Sequence, residues 1–284
     1  MLPPPTQLDR DACRCNTPPA MTYIERHAPG SFCWIELATS DQAAAKKFYA
    51  SLFGWTADDA PMAPGEFYTM FRTNSRDVGA GYTLRSDQRA QGVPPNWMVY
   101  IQVENADTTA SRAKDLGATV LAVPFDVFDI GRMAVIRDPT GAVFAIWQAK
   151  KHSGIGITGV DGTFCWADLS TPDPGRGSKF YADLFGWQMM SDDEDPEHDY
   201  IHIKNGEHFI GGIPPARDRG PNVPPHWLIY FHVSDCDAFA NKAKLLGANL
   251  CAPLMTMQNV GRMAVMADPQ GAVFAMFQPI PPTK

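Results

Sequence analysis

No stretch of this chain approaches the roughly 20 consecutive apolar residues that a membrane-spanning helix needs. A basic excess is missing as well. Lys and Arg number 24 against 31 Asp and Glu, a formal charge of −7, which argues against a general binder of nucleic acid or acidic membrane. Charged residues make up only 19% of the 284 and hydrophobic ones 45%, a globular rather than a disordered balance. Cysteine is sparse and unclustered. Cys13 and Cys15 form a lone C-x-C with no further ligands nearby to complete the about four that zinc takes. Cys33, Cys165, Cys236 and Cys251 sit in or beside apolar segments and read as free thiols of a cytoplasmic protein. Also missing are a G-x-G-x-x-G after a strand, a G-x-x-x-x-G-K-[ST], an H-E-x-x-H and a G-x-S-x-G, which leaves no signature of a nucleotide, zinc-protease or serine-hydrolase site. The first 28 residues lack an apolar core of the secretory kind. Pro3, Pro4, Pro5, Pro18 and Pro19 break regular structure there, so residues 1–28 are expected to be a disordered tail, with Met21 as an alternative start.

What is present is duplication. Gly30-Ser-Phe-Cys-Trp34 recurs as Gly162-Thr-Phe-Cys-Trp166, and Lys47-Phe-Tyr-Ala-Ser-Leu-Phe-Gly-Trp55 as Lys179-Phe-Tyr-Ala-Asp-Leu-Phe-Gly-Trp187, both 132 residues on. Pro94-Pro-Asn-Trp97, Gly131-Arg-Met-Ala-Val135 and Asp138-Pro-Thr-Gly-Ala-Val-Phe-Ala145 recur 130 residues on, at Trp227, Val265 and Ala275. So long a period makes each copy a domain rather than a solenoid repeat. The expected divisions are 29–148, a Lys-, Gly- and Ser-rich linker at 149–159, and 160–280. Each copy splits again into two β-α-β-β-β modules. Asp41 is placed to cap a helix with Ala45, Phe48, Tyr49 and Leu52 on one face and Gly54 as its stop. Asp107 is placed likewise before Ala110, Ala113 and Gly117. Four modules of this kind make an α+β fold with antiparallel sheets.

This pattern resembles the vicinal oxygen chelate superfamily of glyoxalase I, bleomycin-resistance proteins and extradiol dioxygenases, in a tandem two-domain form. The likeness is carried by Phe48-Tyr49, Leu52-Phe53-Gly54 and Asp138-Pro139-x-Gly141, and by Phe180-Tyr181, Leu184-Phe185-Gly186 and Asp268-Pro269-x-Gly271. It implies paired modules whose sheets curl into cups. It also implies, for metal-dependent members, His, Gln or Glu ligands from the first and last strands. In this chain those positions fall on Trp34, Trp166, Met98, Leu228, Ala145 and Ala275, none of which suits a hard or borderline divalent metal. The reading therefore expects no cofactor and no metal ligand, with a divalent metal in a rearranged site as the alternative.

Strand alternation supplies other candidates. Trp97, Val99, Ile101 and Val103 form an apolar face for the helices, which leaves Met98, Tyr100 and Gln102 for the cup; the second copy offers Leu228, Tyr230 and His232. Phe32, Trp34 and Glu36 are read as sharing a face, as are Phe164, Trp166 and Asp168. Glu36, Asp168 and His232 are thus the candidate catalytic residues, and Trp34, Tyr100, Gln102, Trp166 and Tyr230 the candidate ligand-binding ones. The carboxylates read either as half-buried groups exchanging a proton or anchoring a substrate amine, or as hydrogen-bonded parts of the sheet. Five of the seven histidines, His198, His202, His208, His226 and His232, lie in the second copy, and Asp168, His202 and His232 together would suit the rearranged metal. Arg132 and Arg262 are expected to pair with Asp138 and Asp268, and Trp55 and Trp187 to pack in the core.

Two functions compete, against a third reading as a structural or interaction protein that kept the fold and lost the site. One is metal-independent binding of a small organic molecule in aromatic-lined cups. The other is a lyase, isomerase or oxygenase of the same superfamily using Glu36, Asp168 and His232 or a rearranged metal. The expected partner is a small-molecule ligand, with neither nucleic acid nor membrane, in a monomer whose domains pair within the chain or in a homodimer.

Overall fold

The computed structural model describes residues 20–191, 199–257 and 260–280. After the short strand β1 (Thr22–Tyr23) the first half runs β2 (Phe32–Thr39), α1 (Gln42–Phe53), β3 (Thr56–Ala63), β4 (Glu66–Thr73), β5 (Arg76–Thr83), α2 (Ser86–Ala90), β6 (Asn96–Gln102), α3 (Ala106–Asp115), β7 (Thr119–Val127), β8 (Gly131–Arg137) and β9 (Val143–Ala149). Strand β10 (Ile157–Thr158) leads into the second half. That half runs β11 (Phe164–Ser170), α4 (Pro174–Phe185), β12 (Gln188–Met190), β13 (Ile201–Asn205), β14 (His208–Ile213), β15 (His226–His232), α5 (Cys236–Leu245), β16 (Asn249–Leu250), β17 (Met255–Met257), β18 (Gly261–Ala267) and β19 (Val273–Pro279).

Each half makes one open sheet. Its order is β3-β4-β5-β2-β6-β9-β8-β7 in the first half and β12-β13-β14-β11-β15-β19-β18-β16 in the second, with β17 also on β18. The fold is α+β, four β-α-β-β-β modules in tandem. The sheets are mostly antiparallel, but the last strand of each module returns beside the first in parallel, as β5 on β2 and β9 on β6. The helical crossover after the first strand produces that reversal.

The helices begin and end where local chemistry dictates. Asp41 accepts from the Ala44 N–H and Asp173 from the Arg176 N–H, while Gly54 and Gly186 close the last turns at φ 76° and 73°. For α3 the sequence reading needs correcting. Asn105 is the cap, accepting from the Thr108 N–H, and Asp107 is the second residue of the helix's first turn. Asp107 instead takes Arg132, whose Nε and Nη2 both donate at 2.8 Å. Arg262 holds Asp237 in the same way. The arginines therefore tie the first helical turn to the sheet and do not pair with Asp138 or Asp268. The planar guanidinium fork matches a carboxylate that points out of a helix start.

One hydrophobic core serves both halves. Phe53, Trp55 and Trp97 of the first half surround Phe231 of the second at ring distances of 5.1–5.5 Å, and Phe32 packs on Trp187 and Trp227. Two polar clasps cross the same boundary. Trp97 Nε1 donates to Tyr49 Oη (2.9 Å), which donates to Asp268 Oδ2 (3.0 Å); Trp227 Nε1 donates to Tyr181 Oη, and Tyr181 to Asp138 Oδ2, at the same distances. The other oxygen of each aspartate caps its own Asp-Pro-x-Gly turn, Asp138 Oδ1 accepting from the N–H groups of Thr140, Gly141 and Ala142. The repeated Phe-Tyr, Pro-Pro-x-Trp and Asp-Pro-x-Gly motifs are thus the parts of a reciprocal interdomain lock. Trp55 and Trp187 are core residues, each 3% exposed.

Residues 20–28, read as the end of the tail, are held in place: β1 pairs with β10, and His27 Nε2 lies 2.9 Å from the Ile155 carbonyl. The rest of that tail, residues 1–19, lies outside the described residues. The linker is equally ordered, with Ile155 and Ile157 buried. Gly154 is required where it passes β2, because its φ is +113° and a Cβ there would stand 2.1 Å from the Cys33 carbonyl oxygen.

Candidate functional site: two unequal cups

Cross-strand register defines the face of each sheet turned away from the shared core. In the first half Trp34 lies opposite Tyr100, Glu36 opposite Met98, and Tyr100 opposite Ala145. Phe32 does not share that face. A bulge at Cys33 shifts the register, so Phe32 lies opposite Ile101 and enters the interdomain core. The same bulge at Cys165 sends Phe164 to the core and leaves Trp166 and Asp168 on the cup side. An inserted residue reverses side-chain parity, and nothing in simple alternation announces it.

Glu36 sits at the centre of the first cup, 8% exposed. Tyr68 donates to its Oε1 at 2.8 Å and Tyr100 to its Oε2 at 2.9 Å, while Trp34 Nε1 donates to Tyr68 Oη at 3.1 Å. Asp168 repeats this in the second cup: Tyr200 donates to Oδ1 (2.6 Å), Tyr230 to Oδ2 (2.7 Å) and Trp166 Nε1 to Oδ1 (3.0 Å). Burial pushes both carboxyl groups above their ordinary range, and the phenol hydrogen bonds pull them back. All four tyrosines stay un-ionised, raised well above the usual phenol value by burial and then by the neighbouring carboxylate. Tyr68 and Tyr200 belong to the site and had not been singled out in the sequence. Their signal was the repeat itself, since both lie two residues before the Met70/His202 position.

The structure thus groups Trp34, Glu36 and Tyr100 in one cup and Trp166, Asp168 and Tyr230 in the other. Gln102 and His232 stand at the end of the row. Gln102 Nε2 donates to the Val103 carbonyl. His232 Nδ1 lies 3.8 Å from Asp161 Oδ1 and is not among the donors to Asp168. Burial lowers its pKa, and Asp161 works against that. His202 does face the second cup, its ring 4.8 Å from Tyr200 and 6.5 Å from Trp166. His198 lies outside the described residues.

Two family models cover almost all of this. One, described as the glyoxalase/bleomycin resistance protein/dioxygenase superfamily, matches residues 31–146, and a glyoxalase-like domain matches 166–277. The chain belongs to the vicinal oxygen chelate superfamily. Among curated relatives, "Putative glyoxylase CFP32" of Mycobacterium tuberculosis is 39% identical over 264 residues, 92% of this chain and 99% of its own. The anthracycline biosynthesis protein DauV of a Streptomyces species is 34% identical over 269 residues, 90% and 95% of the two chains. Solved folds include the Mn(II)-bound glyoxalase of Novosphingobium aromaticivorans (TM-score 0.62, 14% identity, 88% of this chain and 82% of that one). An extradiol ring-cleaving dioxygenase from B. fuscum superimposes with TM-score 0.61 at 15% identity, over 90% and 75%. At such identities the likeness concerns the fold.

The metal that this fold family implies does not fit the side chains present. An indole, a thioether and a methyl group occupy the first cup's ligand positions, at Trp34, Met98 and Ala145; the second cup has Trp166, Leu228 and Ala275. The one carboxylate on each floor has both oxygens engaged by tyrosines. Among the described residues, no three His, Cys, Asp or Glu side chains converge.

Proposed function

We propose that this member of the superfamily binds a small, flat, hydroxylated organic molecule through aromatic stacking and hydrogen bonding, without the metal of its catalytic relatives. The observation that carries this reading is the tyrosine–carboxylate–tyrosine set at the centre of an aromatic- and methionine-lined face. With every phenol proton given to the carboxylate, the remaining lone pairs on these oxygens are acceptors, so the matching ligand is a hydrogen-bond donor. Register places Trp34, Met98, Met133 and Trp147 on the face of the first set, and Trp166, Leu228, Met263 and Phe277 pack around the second. Such walls favour a planar apolar body. The name of the Streptomyces relatives, anthracycline biosynthesis proteins, agrees with a ligand of that shape.

The enzymatic alternative joins Glu36 or Asp168 to His232. The position of His232 beside Asp161 favours the binding reading. The test is a titration of EDTA-treated protein with a hydroxyanthraquinone, followed by quenching of tryptophan fluorescence. Saturable binding unchanged by added Mn²⁺, Fe²⁺ or Zn²⁺ is expected. Binding that appears only with a divalent metal, or stoichiometric metal in protein purified without supplementation, would overturn it.

A further inference from the structure

The two cups share a plan but differ at one end. In the first, the linker closes it. The His152 ring packs on Trp34 with centroids 4.6 Å apart, its Nε2 lies 3.5 Å from Asp77 Oδ2, and its carbonyl accepts from Trp147 Nε1 at 3.0 Å. Asp77 is also held by Arg72, which reaches Asp58. Trp34 and Trp147 are consequently 4% and 6% exposed.

In the second cup the three charged members of that closure are replaced, and the counterpart of His152 lies outside the described residues. Met190, Lys204 and Phe209 stand where Asp58, Arg72 and Asp77 stand in the first. Trp166 and Phe277 are only half-buried. The position of Met70 is taken by His202, in register with Met190 on one side and with Gly212 and then Asp168 on the other. Its imidazole meets the rings of Tyr200 (4.8 Å), Phe209 (5.6 Å) and Trp166 (6.5 Å), and among the described residues neither nitrogen has a hydrogen-bond partner.

We propose that the second cup, and not the first, takes the ligand, and that His202 accepts a hydrogen bond from a hydroxyl on a flat aromatic molecule stacked against Trp166. The inference rests on the binding function proposed above and adds which cup is used and by what acceptor. The His202 nitrogens are not among the sealed, unpartnered polar atoms of the described residues, so a ligand hydroxyl can take the place of water there, and the wall of three aromatic rings sets the plane of what lies beside it. Burial lowers the His202 pKa, which keeps the ring neutral and its lone pair available. Among the described residues, the groups facing it are Trp166 and Asp168 on β11, Met190 on β12, Tyr200 and Lys204 around β13, and Phe209 and Gly212 on β14. Asp168 is turned to Tyr200 and Tyr230, and the Lys204 ammonium lies over the Phe209 ring.

The experiment compares 2-hydroxyanthraquinone with anthraquinone, both as full-chain titrations. Wild-type protein should prefer the hydroxylated probe by on the order of tenfold, the worth of one sheltered hydrogen bond. His202→Phe should erase that preference while leaving anthraquinone binding within about twofold. His202→Gln, which still offers an acceptor, should restore part of it. Trp166→Ala should abolish binding of both probes. The preference should persist as pH falls through 6.5, the ordinary histidine value, and disappear below it as the lowered pKa is passed. Binding of neither probe to wild-type protein sinks the binding function itself. Binding with a preference that survives His202→Phe, or binding that is unaffected by Trp166→Ala, overturns this inference alone.

Discussion

Glu36 and Asp168 show how a single side chain couples stability to pH. Each carboxyl group holds its proton more tightly in the fold than in the unfolded chain, because burial outweighs the phenol hydrogen bonds. Between the unfolded value, 4.5 for Glu36, and the raised folded value, the native state therefore binds more protons than the unfolded one. Stability must fall as pH rises through that window. The double variant Glu36→Gln/Asp168→Asn is expected to flatten this part of the curve of urea-unfolding free energy against pH; an unchanged slope would show that these groups do not titrate with folding. Tyr49 offers a second check. Tyr49→Phe keeps the ring in the core but leaves the Trp97 indole N–H and Asp268 Oδ2 unpartnered. It should cost about 1–3 kcal/mol of unfolding free energy, and Tyr181→Phe should cost a similar amount, since its partners and distances are the same. The carboxylates and their tryptophans were legible as recurring residues two apart. Strand alternation also pointed to Tyr100 and Tyr230, but not to Tyr68 and Tyr200, which come from strands whose neighbours in space are set only by pairing.

At the scale of the element, local rules served the helices better than the strands. Asp41, Asp173, Gly54 and Gly186 begin and end their helices as their chemistry requires. Asp173→Ala, which removes the acceptor of the Arg176 N–H, should lower stability by about 0.5–2 kcal/mol, readable in a denaturant midpoint shift with an unchanged slope. Asp107 failed as a cap because Asn105 and Asp107 both carry suitable side chains, and the choice fell to the one two residues earlier, leaving Asp107 for Arg132. The strands of the floor misled in one place for a different reason. The bulges at Cys33 and Cys165 each insert a residue into one strand against its partner, and a sequence carries no mark of the partner. Gly212 shows the same dependence. A Cβ there would lie 2.0 Å from Tyr200 Oη, so the glycine makes room for the tyrosine that holds Asp168, although the equivalent residue beside Glu36 is Ala80.

For the whole molecule, the shared core makes the halves interdependent. Rings from both halves surround Phe231 and Phe32, and a clasp crosses the boundary in each direction. Calorimetry should give one transition whose van't Hoff and calorimetric enthalpies agree, and residues 20–150 expressed alone should lack that transition, since their apolar helix-side surface would face water. Two resolved transitions would show that the halves fold separately. The sequence by itself determined the duplication, the α+β class and the superfamily, because these depend on residue type and spacing along one chain. Tertiary structure alone decided that the repeated motifs lock the halves together, that the linker seals the first cup with His152, and that His202 looks into the second. Those facts depend on which strand lies beside which, and neighbours across a sheet are set by packing and register that a linear order does not contain.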